Sequence, residues 1–336
     1  MVKVAIAAAT SQLAREIIDR LVETKKHEVI ALVRKVIIEP PTPTEYINID
    51  SENTQDPSKY ESLPGLTWTQ VDYEDKADLV RKFQGVETVL CFFPVHLDPG
   101  NATQKRLIDA AIEAGVKRFA PSEWSAGVKL ASSLDAIPWY GGKVEVIEYT
   151  RFQVGAFMDY FSHPHNTTKY IQTLPFTFDF ENQQATVVEG TLDDVVVWTT
   201  VNDIANVAVR AIEYEGEWPA VGGISGSRVT NGQMLKLGEA IGRPFTVRWL
   251  KKADLEAEKR DSSGMGDFDL HTLTPEQMKD FLDFATRGIL LAMSRGVYAV
   301  SDEWNRLLPD YQFTQVEDYV KKVWGGKSKS SDEVTT

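Results

Sequence analysis

The sequence lacks the features that mark secreted, membrane-spanning or nucleic-acid-binding proteins. It contains one cysteine, Cys91, so neither an intrachain disulfide nor a thiolate zinc cluster can form. Acidic residues outnumber basic residues by 49 to 36, and a net charge of −13 argues against the basic surface that binds nucleic acid. No apolar run approaches membrane-spanning length, and no signal-peptide pattern follows Met1. We therefore expect a cytoplasmic protein that binds neither nucleic acid nor membrane.

The first half of the chain alternates short β-rich runs with amphipathic helical patterns. This alternation is typical of a parallel sheet whose strands are joined by crossover helices. Predicted strands are 2–8, 27–34, 66–71, 87–94 and 118–121, and predicted helices are 13–24, 77–83 and 102–114. We predict an α/β fold, a Rossmann-type doubly wound parallel sheet with a smaller, mainly C-terminal substrate-binding region.

The predicted domain organisation has three parts. Residues 1–156 form an NAD(P)-binding Rossmann domain, in which 36–65 is an insertion loop; Pro40, Pro41 and Pro43 exclude a regular helix there. Residues 157–324 form the substrate-binding region, with parts that return to the Rossmann core. Helices are predicted in it at 202–213, 233–241, 275–286 and 315–323. The small and polar residues of 325–336 predict a disordered tail.

The loop after the first predicted strand has the position of a dinucleotide-binding turn but not its glycines. Ala8, Ser11 and Ala14 stand in register with the three glycines of that motif. Each carries a Cβ, which penalises a turn with positive φ and close approach to a pyrophosphate. Taken alone, this loop favours a βα unit that has kept the fold without the ligand.

Two neighbouring features favour a bound anion. Thr10, Ser11 and Gln12 offer a helix N-terminus with free N–H groups and hydroxyls. Arg34 ends the second predicted strand and is followed by Lys35, and an arginine there suits the 2′-phosphate of NADP(H), whereas an NAD site would place an acidic residue nearby. A solvated strand end is the alternative interpretation of Arg34.

Several further blocks resemble one family over nearly the whole chain before the tail. The blocks are Ala31-Leu-Val-Arg34, Val116-Lys-Arg-Phe-Ala-Pro-Ser-Glu-Trp124, Ile137-Pro-Trp-Tyr-Gly-Gly-Lys143, Phe152-Gln-Val-Gly-Ala-Phe-Met-Asp-Tyr160 and Val201-Asn-Asp-Ile-Ala205. With them the chain resembles the fungal NmrA-like and isoflavone-reductase-like family of atypical short-chain dehydrogenases. That resemblance implies NADP(H) binding, and either reductase activity, often in specialised metabolism, or redox-sensing regulation. The implied cofactor site comprises Thr10, Ser11, Gln12, Leu13, Arg34, Lys35, Phe93 and Pro94.

The resemblance also implies that Lys143 is the catalytic lysine. An ammonium group near a nicotinamide can orient the ribose and donate a proton. Tyr140 lies about one helical turn earlier, although its spacing from Lys143 is one residue shorter than in ordinary short-chain dehydrogenases. The alternative is that Tyr140 packs and Lys143 lies at the surface. The chain between Lys143 and the strand pattern at 149–153 is also short for a crossover helix.

Four polar residues are candidates for the substrate pocket. Ser122 and Glu123 follow the fifth predicted strand, at the edge where doubly wound sheets bind ligands, although structural support is the safer interpretation of both. Asp159 and His163 follow a segment that resembles the family's pocket entrance. His163 and His165 have no third ligand nearby in the sequence, so we predict no metal site.

Three functions remain open on the sequence. The leading hypothesis is an NADP(H)-dependent reductase, monomeric or homodimeric, that acts on a small hydrophobic metabolite. The loss of the glycines motivates a second hypothesis, a cofactor-independent isomerase or cyclase that uses acid–base catalysis. The third is a regulator that senses the dinucleotide and binds a protein partner.

Overall fold

The computed structural model describes residues 1–34, 56–61, 63–93, 98–137, 151–257 and 274–325, and its first half contains a five-stranded parallel sheet. The strands are β1 (Val2–Ala7), β2 (His27–Arg34), β3 (Leu66–Val71), β4 (Thr88–Cys91) and β5 (Arg118–Ala120). Their order is β3-β2-β1-β4-β5, which is the doubly wound arrangement predicted from the sequence. The predicted α/β, Rossmann-type fold is confirmed.

The sheet is buried on both faces because helices cover both of them. Helix α1 (Gln12–Thr24) packs with α4 (Val201–Glu213) on one face, and α2 (Lys76–Lys82) packs with α3 (Ala102–Glu113) on the other. Residues 4–7 of β1 are accordingly fully buried, and their near-continuous apolar sequence is typical of a central parallel strand. Cys91 is also fully buried.

Two later strands form a separate two-stranded sheet that a single bridge links to the residues after β5. Strand β6 (Arg151–Gln153) pairs in parallel with β11 (Val221–Gly223), and Ser125, beyond the end of β5, forms an isolated parallel bridge with Gln153. The carboxyl ends of β1, β4, β5 and β6 therefore lie along one edge of the sheet, which is where ligands bind in this class of fold.

A second apolar core lies in the rest of the chain. One small sheet joins β7 (Ala156–Phe157), β10 (Val195–Thr199) and β12 (Ser227–Thr230), and another joins β8 (Phe178–Asp179), β9 (Gln184–Val188) and β13 (Thr246–Leu250). The helices there are α5 (Asn231–Ala240), α6 (Lys252–Ala257), α7 (Pro275–Ser294), α8 (Glu303–Leu307) and α9 (Val316–Trp324). The short strands were not predicted, because two to five residues carry too little periodicity to be recognised. Helix α7 continues to Ser294, past its predicted end at 286.

Parts of two predicted segments lie outside the described residues. Of the insertion 36–65, the structure describes 56–61 and 63–65, which include a 3-10 turn at Pro57–Lys59. Residues 326–336 of the predicted tail are also outside. Among the residues that the structure does describe, no helix is both long enough and apolar enough to cross a membrane.

Candidate active site

The turn between β1 and α1 adopts the left-handed conformation that its sequence disfavours. Ala8, at the position of the first motif glycine, has φ of +55°. The N–H of Ser11 donates to the carbonyl of Ala8 (3.1 Å), and the N–H of Ala9 donates to the carbonyl of Leu32 in β2 (3.2 Å). The chain therefore forms this turn with alanine, although the Cβ of Ala8 penalises a positive φ.

The N-terminus of α1 carries polar groups without partners. Ser11 is the N-cap, but its side chain makes no capping hydrogen bond, and its buried Oγ has no partner among the residues that the structure describes. The N–H groups of Gln12 and Leu13 donate to no acceptor within the described part of the chain. The Leu13 side chain belongs to the apolar core, so only its backbone is available to a ligand. Thr10 lies in the turn itself, half-buried.

Arg34 and Phe93 lie at the same edge of the sheet. Arg34 is the last residue of β2 and is exposed; no described residue forms a hydrogen bond or ion pair with its guanidinium. Phe93 follows β4 and is buried, with its ring edge-on to that of Tyr73 (4.9 Å between centroids). Lys35 and Pro94, which the sequence analysis assigned to the same site, lie outside the described residues.

The residues after β5 link neighbouring strands. The Ser122 hydroxyl donates to the carbonyl of Phe93 (2.7 Å), and the Ser122 N–H donates to Oε1 of Gln104 on α3 (2.6 Å). Trp124 donates from Nε1 to the carbonyl of Cys91 (2.9 Å), and Glu123 between them is buried. These bonds hold the ends of β4 and β5 together. Tyr140 and Lys143, the predicted catalytic pair, lie outside the described residues.

An aromatic cavity of about 280 Å³ opens beside the ends of β5 and β6. Its wall begins with Trp124 and Ser125 after β5 and with Gly155 and Ala156 after β6. The remaining wall comes from later elements and is largely aromatic: Phe157, Tyr160, Phe161, Phe176, Thr177, Phe178, Trp198, Phe281, Ala285, Ile289, Met293 and Tyr298. Such a wall binds a flat, apolar molecule by burying its surface.

Asp159 and His163 do not border this cavity, and their place in a substrate pocket stays a prediction. Oδ2 of Asp159 accepts from the N–H of Val201 at the start of α4 (2.8 Å), so the carboxyl group caps that helix. Burial raises the pKa of Asp159 to about 6, and the nearby carboxylate of Asp203 adds to the shift. Nδ1 of His163 contacts the carbonyl of Thr173 (3.0 Å).

A second cavity, of about 760 Å³, has a wall of mixed polar and apolar residues. It is bordered by Gln153, Ser225, Arg228, Ser301 and Asn305, among others. No group of three or more His, Cys, Asp or Glu side chains is placed to hold a metal ion in the described ranges. Because its wall is largely aromatic, the first cavity is the better candidate for a site that takes a hydrophobic substrate.

Comparison with known families agrees with this architecture. The sequence profile described as the NmrA-like family matches residues 2–235, which is more than half of the chain. The chain belongs to the NmrA-like family. The family assignment made from the sequence blocks is thereby confirmed. The matched residues 2–235 contain the Rossmann sheet and the elements up to α5. They therefore include the residues that follow β1, β4, β5 and β6 at the carboxyl edge.

Curated relatives of this NmrA-like chain are named oxidoreductases. Oxidoreductase swnN of Metarhizium robertsii is 22% identical over an alignment that covers 96% of this chain and 98% of the relative. Oxidoreductase BOA1 of Botryotinia fuckeliana is 25% identical and covers 63% of this chain and 67% of its own.

Solved structures share the fold over nearly the whole length. AtPrR2 with NADP+ and (+)-pinoresinol has a TM-score of 0.66 at 17% identity, and the match covers 96% of this chain and 98% of that one. Leucoanthocyanidin reductase of Vitis vinifera, in a binary complex with NADPH, has a TM-score of 0.64 at 14% identity, with 96% and 99% covered.

Sequence reasoning missed most of the cavity wall. Trp198 lies in β10, Phe176 and Phe178 flank the start of β8, and Phe281 lies on α7. The alternating aromatic run Phe176-Thr-Phe-Asp-Phe180 was the available signal. This alternation indicates a strand, but only the fold shows that side chains of this segment face a cavity.

Proposed function

We propose that this NmrA-like chain is an NADP(H)-dependent oxidoreductase that acts on a small hydrophobic, aromatic metabolite, as in specialised metabolism. The carrying observation is the aromatic cavity at the carboxyl edge of a dinucleotide-type sheet, beside residues that follow β5 and β6. Ligands in doubly wound folds bind at this edge, so a cofactor on β1 to β4 and a substrate in the cavity would be neighbours.

The residues at this edge fit NADP(H). The backbone N–H groups of Gln12 and Leu13 and the buried Oγ of Ser11 have no partners in the described chain and suit the pyrophosphate. The exposed guanidinium of Arg34, which pairs with none of the described residues, suits a 2′-phosphate. The ring of Phe93 would border the cofactor beyond the end of β4.

When bound, NADPH supplies a hydride. The chain's own part is to bind and orient the two reactants and to exclude water from the space between them. The aromatic wall would exclude water, because its side chains replace solvent around an apolar substrate. Proton delivery is the role we propose for Lys143, with Tyr140 as its neighbour.

Two observations weigh against the rival hypothesis of a cofactor-independent isomerase or cyclase. Ala8 takes the left-handed conformation of the dinucleotide turn in spite of its Cβ. Asp159 and His163, two of the substrate-pocket candidates, engage α4 and Thr173 and do not border the cavity.

A cofactor titration tests the proposal. We expect calorimetry to give saturable NADPH binding and weaker NADH binding. Arg34→Ala should weaken NADPH binding by about 10- to 100-fold and abolish the preference, because a charge-assisted phosphate contact contributes about 1.5–3 kcal/mol. Arg248→Ala, which removes an exposed arginine on β13, is the matched control and should leave both affinities unchanged.

The outcomes separate the three functions. Absence of NADPH binding at millimolar concentration would reject the oxidoreductase and leave the isomerase. Saturable binding without hydride transfer to any of a panel of aromatic carbonyl and enone compounds would favour the dinucleotide-sensing regulator.

A further inference from the structure

The hydroxyl of Tyr73 is built into the degenerate dinucleotide turn. The N–H of Ala8 donates to Oη of Tyr73 (3.0 Å), and the same hydroxyl donates to the carbonyl of Leu32 in β2 (3.1 Å). That carbonyl also accepts from the N–H of Ala9. The first two N–H groups after β1 are thereby tied to β2, one directly and one through the tyrosine.

The backbone conformation of Ala8 is the one that most needs to be stabilised by such a hydrogen bond. Its φ of +55° is a conformation that glycine adopts freely and that a residue with a Cβ populates rarely. An alanine at this position therefore needs an external contact that stabilises the left-handed geometry. The contact comes from a residue 65 positions away in the sequence.

Tyr73 is itself held firmly. It is buried, its ring packs edge-on against Phe93, and Nη1 of Arg106 on α3 donates to its backbone carbonyl (2.7 Å). Burial raises the pKa of Tyr73 well above its usual value, so the hydroxyl keeps its proton. It can therefore donate to Leu32 while it accepts from Ala8.

We infer that Tyr73 is a positioning residue that takes over from the missing first glycine. Its hydroxyl holds Ala8 in the left-handed conformation and so aims the N–H groups at the start of α1 toward the pyrophosphate. The effect on cofactor affinity rests on the proposed function, whereas the effect on the turn does not. At the position of the motif glycine the chain thus has an alanine whose N–H donates to the hydroxyl of a distant tyrosine.

A double-mutant cycle of Tyr73→Phe and Ala8→Gly tests this inference. Tyr73→Phe keeps the ring against Phe93 and removes only the hydroxyl, and we expect NADPH affinity by calorimetry to fall by about tenfold, or about 1.4 kcal/mol. Ala8→Gly alone should change affinity less than twofold. In the Ala8→Gly background, Tyr73→Phe should have little effect, because glycine adopts the turn without help.

Tyr319→Phe is the matched control. Tyr319 is also buried, and its hydroxyl bonds Thr167 (2.8 Å) in the second core, so its loss should lower thermal stability without changing NADPH affinity. Equal effects of Tyr73→Phe and Tyr319→Phe on affinity, or no rescue by Ala8→Gly, would overturn the inference.

The cycle also separates this inference from the proposed function. If the wild-type chain binds no NADPH, the proposed function fails, and the same four proteins are compared by urea unfolding. Smaller destabilisation by Tyr73→Phe in the Ala8→Gly background then supports the positioning role. Additive effects of the two substitutions on stability would reject it.

Discussion

A single backbone conformation at Ala8 decides how the glycine-poor turn should be interpreted. A left-handed φ costs a residue with a Cβ about 1–2 kcal/mol, and one net hydrogen bond contributes about 1 kcal/mol. The hydrogen bond from Ala8 to Tyr73 is therefore of the size needed to offset the cost of the missing glycine. Absence of a motif glycine does not by itself exclude a dinucleotide turn, because a distant side chain can supply the same energy.

The buried carboxyl group of Asp159 is the second residue-level feature with a measurable consequence. It caps α4 through the N–H of Val201, and its Oδ1 is near the hydroxyl of Thr167 (3.4 Å). Burial opposes its ionisation more strongly than these contacts favour it, since its pKa is about 6 against an ordinary 3.8.

Asp159→Asn should therefore change the pH dependence of stability. The unfolded chain loses this proton near pH 4 and the folded chain near pH 6, so raising the pH through this window favours unfolding. Between pH 5 and pH 7 the wild type should lose about 1 kcal/mol relative to Asp159→Asn. Urea unfolding at several pH values measures the difference.

Asp109→Asn, which removes an exposed carboxylate on α3, controls for the loss of one negative charge. A difference between wild type and Asp159→Asn that stays constant from pH 5 to pH 7 would contradict the buried, proton-retaining carboxyl group.

At the level of elements, residues 168–172 lie along α1 and connect the second half of the chain to this helix. Oε1 of Glu16 accepts from the N–H groups of Lys169 (2.9 Å) and Tyr170 (2.7 Å). The Arg15 guanidinium stacks over the Tyr170 ring (3.9 Å to its centroid), and Oε1 of Gln12 accepts from the N–H of Gln172 (3.1 Å). Side chains on α1 thus hold this irregular segment in place by accepting hydrogen bonds from its backbone N–H groups.

Glu16→Ala should release this segment. Loss of the shared carboxylate leaves two N–H groups without their acceptor, and we expect a stability loss of about 1 kcal/mol. Hydrogen exchange followed by mass spectrometry should show faster exchange in peptides that cover 167–173, with little change in peptides from β1 and β4.

Glu23→Ala provides the comparison on the same helix. Glu23 pairs only with Arg20 among the described residues and lies at the exposed end of α1. If both variants accelerate exchange at 167–173 equally, then Glu16 is not the anchor.

At the level of the whole molecule, the aromatic cavity depends on the docking of distant segments. Trp124 follows the Rossmann strand β5, Trp198 lies in β10, and Ala285 lies on α7, yet all three border one space of about 280 Å³. A variant that fills this space should affect the substrate and spare the cofactor.

Ala285→Phe is that variant. Ala285 is buried against the cavity, and a ring at this position would occupy much of the space. With 2-naphthol as a probe, quenching of tryptophan fluorescence should report binding in the wild type and at least tenfold weaker binding in Ala285→Phe. NADPH affinity should change less than twofold.

Ala240→Phe, at the exposed end of α5, controls for the added ring. Undiminished probe binding by an Ala285→Phe protein with a wild-type melting temperature would show that the aromatic cavity is not where an apolar ligand binds.

Much of the Rossmann half was predictable because its signals are local. The strands at 27–34 and 66–71 match their predicted bounds, and α1 and α3 differ from theirs by one residue at one end. A buried parallel strand needs a run of apolar residues, and a crossover helix needs an amphipathic repeat, so both leave a record in consecutive residues. Arg34 could be assigned to the carboxyl edge for the same reason, since it ends a recognisable strand.

The tertiary structure alone decided which distant residues come into contact. The sequence determined the order of strands and helices in the Rossmann half, the family, and the position of the turn after β1. That Ala8 accepts a left-handed conformation depends on Tyr73, 65 residues away, and that Asp159 caps α4 depends on the packing of two separate segments. The cavity wall likewise combines residues that follow β5 and β6 with residues of β10 and α7. Contacts between distant segments have no periodicity along the chain, so only the folded arrangement shows which side chains meet.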